Sequence, residues 1–150
     1  VAENQNSEYS LLFGDDLSTA SVQAQVVELL VNTKIYSLDL ARGRLNKVVM
    51  VILHKPTSAV VGVVTGSERY SHCLNGRYCH LGVVILPHHS NRPKILERVF
   101  NFLRDSKHPH LKGVAIFRKN RKISDNLLRR YKFKPSIKPD LYFRDFNTTG

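Results

Sequence analysis

Tryptophan is absent from this 150-residue chain, methionine occurs once, and cysteine only twice. Two cysteines in this length exclude a disulfide-dense secreted scaffold. With 8 glycines and 6 prolines the composition is neither collagen-like nor low-complexity. No apolar run approaches the roughly 20 residues of a membrane-spanning helix. Acids are scarce too, 12 Asp and Glu against 23 Lys and Arg, for a formal net charge of +11. What the chain does have is core material: 42% of its residues are hydrophobic, and they recur along its whole length. A chain of this size buries roughly two-thirds of its unfolded surface, so a single domain over 1–150 is expected.

The charge is unevenly placed. Residues 1–75 carry 6 Lys and Arg against 7 acids, whereas residues 76–150 carry 17 against 5. The stretch 118–134 holds eight bases and one acid, Asp125. Such a surplus attracts phosphate or carboxylate, on nucleic acid, an anionic cofactor or an acidic protein. The alternative is a solvated face that keeps the chain soluble.

Hydrophobic spacing gives an alternating order of elements without repeats. Glu8 to Phe13 reads as a strand. Ser18 or Thr19 can cap a helix whose apolar stripe is Val22, Val26, Leu29, Leu30 and Ile35. Leu38 and Leu40 fall in a connector. Lys47–His54 and Ala59–Thr65 are β-branched runs too short for helices, the second continuing to Tyr70. Asn75-Gly76 signals a two-residue hairpin turn into Tyr78–Leu86, which Pro87 stops. A second helix entered near Ser90 or Asn91 has the stripe Ile95, Leu96, Val99, Phe100 and Leu103. Then follow a strand at Leu111–Phe117, a short basic helix marked by Ile123, Leu127, Leu128 and Tyr131, and a strand at Leu141–Phe146. The pattern is that of an α/β (α+β) mixed sheet covered by helices.

From Lys47 to Phe146 this order resembles the GNAT superfamily of N-acetyltransferases. The residues that carry the likeness are the Leu86-Pro87 step ending a central strand, the loop and helix from His88 to Asp105, Val114–Phe117, Asn120, and the Leu127–Phe133 segment. The resemblance implies a mostly antiparallel central sheet with helices on both faces, and acetyl-CoA as cofactor. It also implies that the strand around Val84, Ile85 and Leu86 pairs its backbone with the pantetheine arm. The family's phosphate loop, Gln/Arg-x-x-Gly-x-Gly/Ala, corresponds to the glycine-free run Pro87–Ile95 here. The phosphates would then be held by Arg92 and Lys94 at the helix N-terminus, with His88, His89, Ser90 and Asn91 as extra donors, more than by a backbone cradle, and Asn120 would be a further cofactor contact.

The resemblance further places a thiolate-protonating Tyr five residues before Phe133, where this chain has Leu128. Tyr131, about one turn on, is the substitute hydroxyl. For a general base the nearest acid is Glu68, with His80 or His88 as neutral substitutes. A second set, His72, Cys73, Cys79 and His80, brackets the hairpin. With a two-residue turn, alternation splits it between the two faces of the sheet, so no metal site is expected. The same geometry leaves two free thiols, which suits a reducing, cytoplasmic setting.

Two functional readings follow. The first is an acyl-CoA-dependent N-acetyltransferase acting on an amine-bearing small molecule or protein. The second is a catalytically silent module of the same fold, whose basic 118–134 segment binds nucleic acid or an acidic protein, as in a viral or other structural component. Neither involves a membrane.

Overall fold

The computed structural model describes residues 8–33, 37–86, 95–106, 110–118 and 124–147. Seven strands form one sheet in the order β1-β2-β3-β4-β5-β7-β6. They are β1 (Tyr9–Phe13), β2 (Val48–His54), β3 (Ala59–Ser71), β4 (Gly76–Ile85), β5 (Gly113–Phe117), β6 (Lys134–Pro135) and β7 (Leu141–Asp145). Strands β4 and β5 run parallel, and the flanking registered pairs are antiparallel. Among the described residues four α-helices accompany them: α1 (Ala20–Asn32), α2 (Leu38–Gly43), α3 (Ile95–Asp105) and α4 (Asp125–Arg130). This is the mixed, mostly antiparallel sheet expected from the sequence.

The chain groups into two compact units, Val1–Thr65 with Val83–Asn91, and Gly66–Gly82 with Arg92–Gly150. In the first, Thr19 caps α1, its side chain accepting a hydrogen bond from the Val22 N–H at 3.3 Å. The helix buries Val26, Leu29 and Leu30 with Ala41, Val51, Val60 and Val63. Each such buried aliphatic side chain contributes about 1.5–3 kcal/mol relative to exposure. Two register shifts, at Val48/Met50 and Ile52/Leu53, interrupt the β2–β3 ladder. Helix α2 occupies the expected connector. Ser37 caps it, and it buries only Ala41, leaving Leu38 and Leu40 exposed. Ile35 lies outside the described residues.

In the second unit α3 buries the whole expected stripe, Ile95, Leu96, Val99, Phe100 and Leu103. Its Phe100 ring stacks against the buried Arg144 guanidinium at 3.7 Å, and Arg144 also bonds Glu97 at 3.1 Å and the Tyr131 carbonyl at 3.2 Å. Neighbouring residues of β7 alternate faces, so Leu141 and Phe143 pack instead with Tyr78 and Ala115.

The β3–β4 hairpin departs from expectation. Its turn is four residues, His72–Asn75, with Asn75 in the left-handed region (φ 54) and its N–H bonded to the His72 carbonyl. Gly76 already belongs to β4. It is small because the Lys112 side chain lies where its Cβ would be. A two-residue turn would have faced Cys73 with Tyr78 and His72 with Cys79, and the four-residue turn forms neither pair. Cys73 sits in the turn, its sulfur 3.3 Å from the Ser71 hydroxyl.

Candidate functional site

Strand β4 carries the residues of interest. Successive peptide groups of a strand point to alternate sides. On one side the Arg77 carbonyl accepts from the Lys112 N–H at 2.8 Å; on the other the Leu86 N–H donates to the Val61 carbonyl at 2.9 Å. Odd-numbered β4 residues thus turn their N–H and C=O groups away from β3. The ladder with β5 registers Tyr78–Leu81 against Gly113–Ile116, while β4 continues to Ile85. Val83 and Ile85 lie past the last registered pair, Leu81 with Ile116, and turn their N–H and C=O groups away from β3. Of the expected trio only Ile85 has this orientation. The Leu86 amide is spent on Val61, and Val84 shares its side. An apolar run does not reveal which way its peptide groups face, so the sequence did not distinguish Val83 from its neighbours.

His80 is half-buried on β4, with Nδ1 3.1 Å from the Tyr78 carbonyl. A carbonyl only accepts, so Nδ1 carries a hydrogen in this contact. Burial, followed by the Arg69 charge, holds the imidazole below its usual proton affinity, and Lys138 adds to this; hydrogen bonds to the Tyr78 and Ser67 carbonyls oppose it. Neither Arg69 nor Lys138 was singled out from sequence, since each lies far from His80 along the chain.

Glu68 has a different setting. Its carboxylate is 2.8 Å from His110 Nε2 in an exposed pair, and its charge acts on the Cys79 thiol. Cys79 follows Tyr78 and precedes His80, so the Cys79 and His80 side chains lie on opposite faces of β4. The Cys79 thiol is pushed up to about 11, by burial first and Glu68 second, which makes it a poor nucleophile. Among the described residues no three His, Cys, Asp or Glu side chains converge as metal ligands.

Helix α4 ends in a Schellman turn: Lys132 N–H bonds the Arg129 carbonyl and Phe133 N–H the Leu128 carbonyl. Lys132 takes the left-handed position (φ 68) usually given to glycine. Phe133 is buried, and so is Leu128, at 0% exposure. The place where the resemblance puts a tyrosine is thus a packed apolar site. Tyr131 is half-buried, and its carbonyl holds Arg144. His88, His89, Ser90, Asn91, Arg92, Lys94 and Asn120 lie outside the described residues.

This order of strands and helices, with its one parallel pair, is the GNAT acetyltransferase fold. No family model matches the sequence, and no curated protein does. Solved structures do match. A mutant of the toxin AtaT, bound to the C-terminus of the antitoxin AtaR and acetyl-CoA, is 13% identical over 93% of this chain and 94% of its own, with a TM-score of 0.62. A GNAT-family acetyltransferase from Bacillus anthracis is 11% identical over 94% and 96%, with a TM-score of 0.59. Another from Brucella melitensis, in complex with acetyl-CoA, is 13% identical over 93% and 89%, with a TM-score of 0.54. Identities this low show the fold alone.

Proposed function

We propose that the chain transfers an acetyl group from acetyl-CoA to an amine. Bound acetyl-CoA would supply the activated thioester. The observation that supports this reading is the stretch of β4 at Val83 and Ile85, whose peptide groups are oriented to pair with an extended chain carrying amides. Arg92 and Lys94, with Ser90 and Asn91, are the sequence's candidates for the phosphates, and Asn120 for another part of the cofactor. His80 is the group suited to take the proton of the incoming ammonium, because its setting favours the neutral ring. Tyr131 is the hydroxyl available to return a proton, Leu128 having none.

Calorimetry with acetyl-CoA tests the proposal. Micromolar binding that is lost in Arg92→Glu, with acetylation of amines falling about 100-fold in His80→Gln, is the expected result. No binding at millimolar cofactor would overturn it.

One observation favours the second reading, a silent basic module. Every acid of residues 76–150 is engaged: Glu97 by Arg144, Asp105 by Arg104, Asp125 by Arg129 and Tyr142, Asp140 by Arg118, and Asp145 by Tyr78. Among the described residues Arg77, Arg98, Lys112, Arg130 and the lysines at 132, 134 and 138 are in none of these ion pairs and set the field. Salt-sensitive binding of RNA or DNA, without cofactor binding, is the signature of that reading.

A further inference from the structure

Helix α1 is almost uncharged. In its sequence ASVQAQVVELLVN the one ionisable side chain is Glu28. Beside it, Gln25 Oε1 accepts from the Val60 N–H at 2.9 Å and Nε2 donates to the Ser58 carbonyl at 3.4 Å, pinning the helix to the start of β3. Next to this pin is a hollow of about 190 Å³, floored by Leu29, Val60 and Leu86 and rimmed by Gln25, Glu28 and Asn32. The Gln25 amide is consumed by its two backbone bonds. Glu28 and Asn32 have no hydrogen-bond or ion-pair partner among the described residues. The last turn of α1 also carries no basic residue, so its own helix supplies no cation for the negative end of the dipole. Apolar floor, single carboxylate, carboxamide and helix C-terminus all favour one kind of guest.

We propose that this hollow binds a primary alkylammonium group, with its hydrocarbon tail on Leu29, Val60 and Leu86. The ammonium donates to the Glu28 carboxylate and the Asn32 carboxamide oxygen. The volume is below the roughly 300–1,000 Å³ of sites for drug-sized ligands, which restricts the guest to a short chain. A free small amine and a lysine side chain of a partner protein share this chemistry. Binding here is independent of the acetyl-transfer reading, since neither Glu28 nor Asn32 has a part in it.

The test is a methyl and amide NMR titration of the full chain with n-butylammonium chloride, at constant ionic strength. Saturable shifts at Leu29, Val60 and Leu86 are expected, with affinity about tenfold weaker for Glu28→Gln and for n-butanol. Glu28 is exposed, so the Glu28→Gln spectrum should otherwise match the parent and report a folded chain. Equal affinity for butanol, unchanged affinity in Glu28→Gln, or no saturable shift at these methyls would each overturn the proposal. A parallel titration with Nα-acetyl-lysine methylamide separates the sources. Tighter binding than butylammonium supports a protein lysine as the guest, and weaker binding supports a free amine.

Discussion

The Tyr78 hydroxyl donates to Asp145 Oδ1 at 2.6 Å, joining β4 to β7 across the intervening β5. Tyr78 is 1% exposed, and burial, followed by the hydrogen bond and charge of Asp145, drives its proton affinity far above the usual phenol range. Tyr78→Phe keeps the ring and strands the carboxylate, so a loss of about 2 kcal/mol in urea denaturation is expected. The folded state holds this proton more tightly than the unfolded chain. Its stabilisation is present below the unfolded pKa of about 10 and is lost as pH rises beyond it. Cys79 adds the same trend, its thiol being raised from 9.0 to about 11. Alkaline denaturation should be flatter in Tyr78→Phe than in the parent, when both carry Cys79→Ala.

Lys132 occupies its left-handed position at a cost that glycine does not incur. Lys132→Gly should raise stability by about 0.5–1 kcal/mol, read as a higher melting temperature. Lys132→Ala keeps the Cβ and removes the charge. It should give no such gain, and a gain in both variants would locate the effect in charge instead.

Gly113 and Gly43 offer a matched contrast. A Cβ on Gly113 would meet the Arg144 carbonyl and lie 2.8 Å from the Asp145 Cα, backbone that cannot step aside without breaking the β5–β7 ladder. A Cβ on Gly43, the last residue of α2, meets nothing within 4 Å. Gly113→Ala is expected to cost more than about 3 kcal/mol, and Gly43→Ala to stabilise by about 0.5 kcal/mol. Thermal unfolding of the two variants side by side checks the pair.

His80 predicts two pH effects of one sign. Its folded proton affinity is depressed, so its contribution to stability is present above the unfolded pKa of about 6.5 and falls away as pH drops below it. If His80 is the base, the acid limb of kcat/KM lies below about 6.5 as well. Arg69→Met removes a charge that opposes protonation, so it should move that limb upward. A limb that stays in place in Arg69→Met would assign the titration to another group.

Long periodic elements were legible in the sequence, because burial on one face imposes a pattern on many residues at once. The stripe of α3 and the runs of β2 and β3 are of this kind. Helix α2 was not legible. Six residues cover less than two turns, and only Ala41 is buried, so Leu38 and Leu40 suggested no helical face. The hairpin turn misled for a different reason. Asn75 does supply the positive φ, but Gly76 is glycine to make room for Lys112, a contact 36 positions away along the chain. At the site, residue types on β4 could be read while directions could not. Whether Leu86 or Ile85 offers its amide depends on the bond to Val61, and pairing at that distance leaves no trace in local composition. The same holds for the partnership of Glu68 with His110, 42 residues apart.

Strand β6 closes the far end of the sheet with only Lys134 and Pro135. A two-residue rim that bears a positive charge, and whose second member has no amide hydrogen, is a poor template for a strand from another molecule. Fibril-like stacking through that border is thereby discouraged, and lengthening it or replacing Pro135 with valine should make concentrated solutions prone to gelling or precipitation.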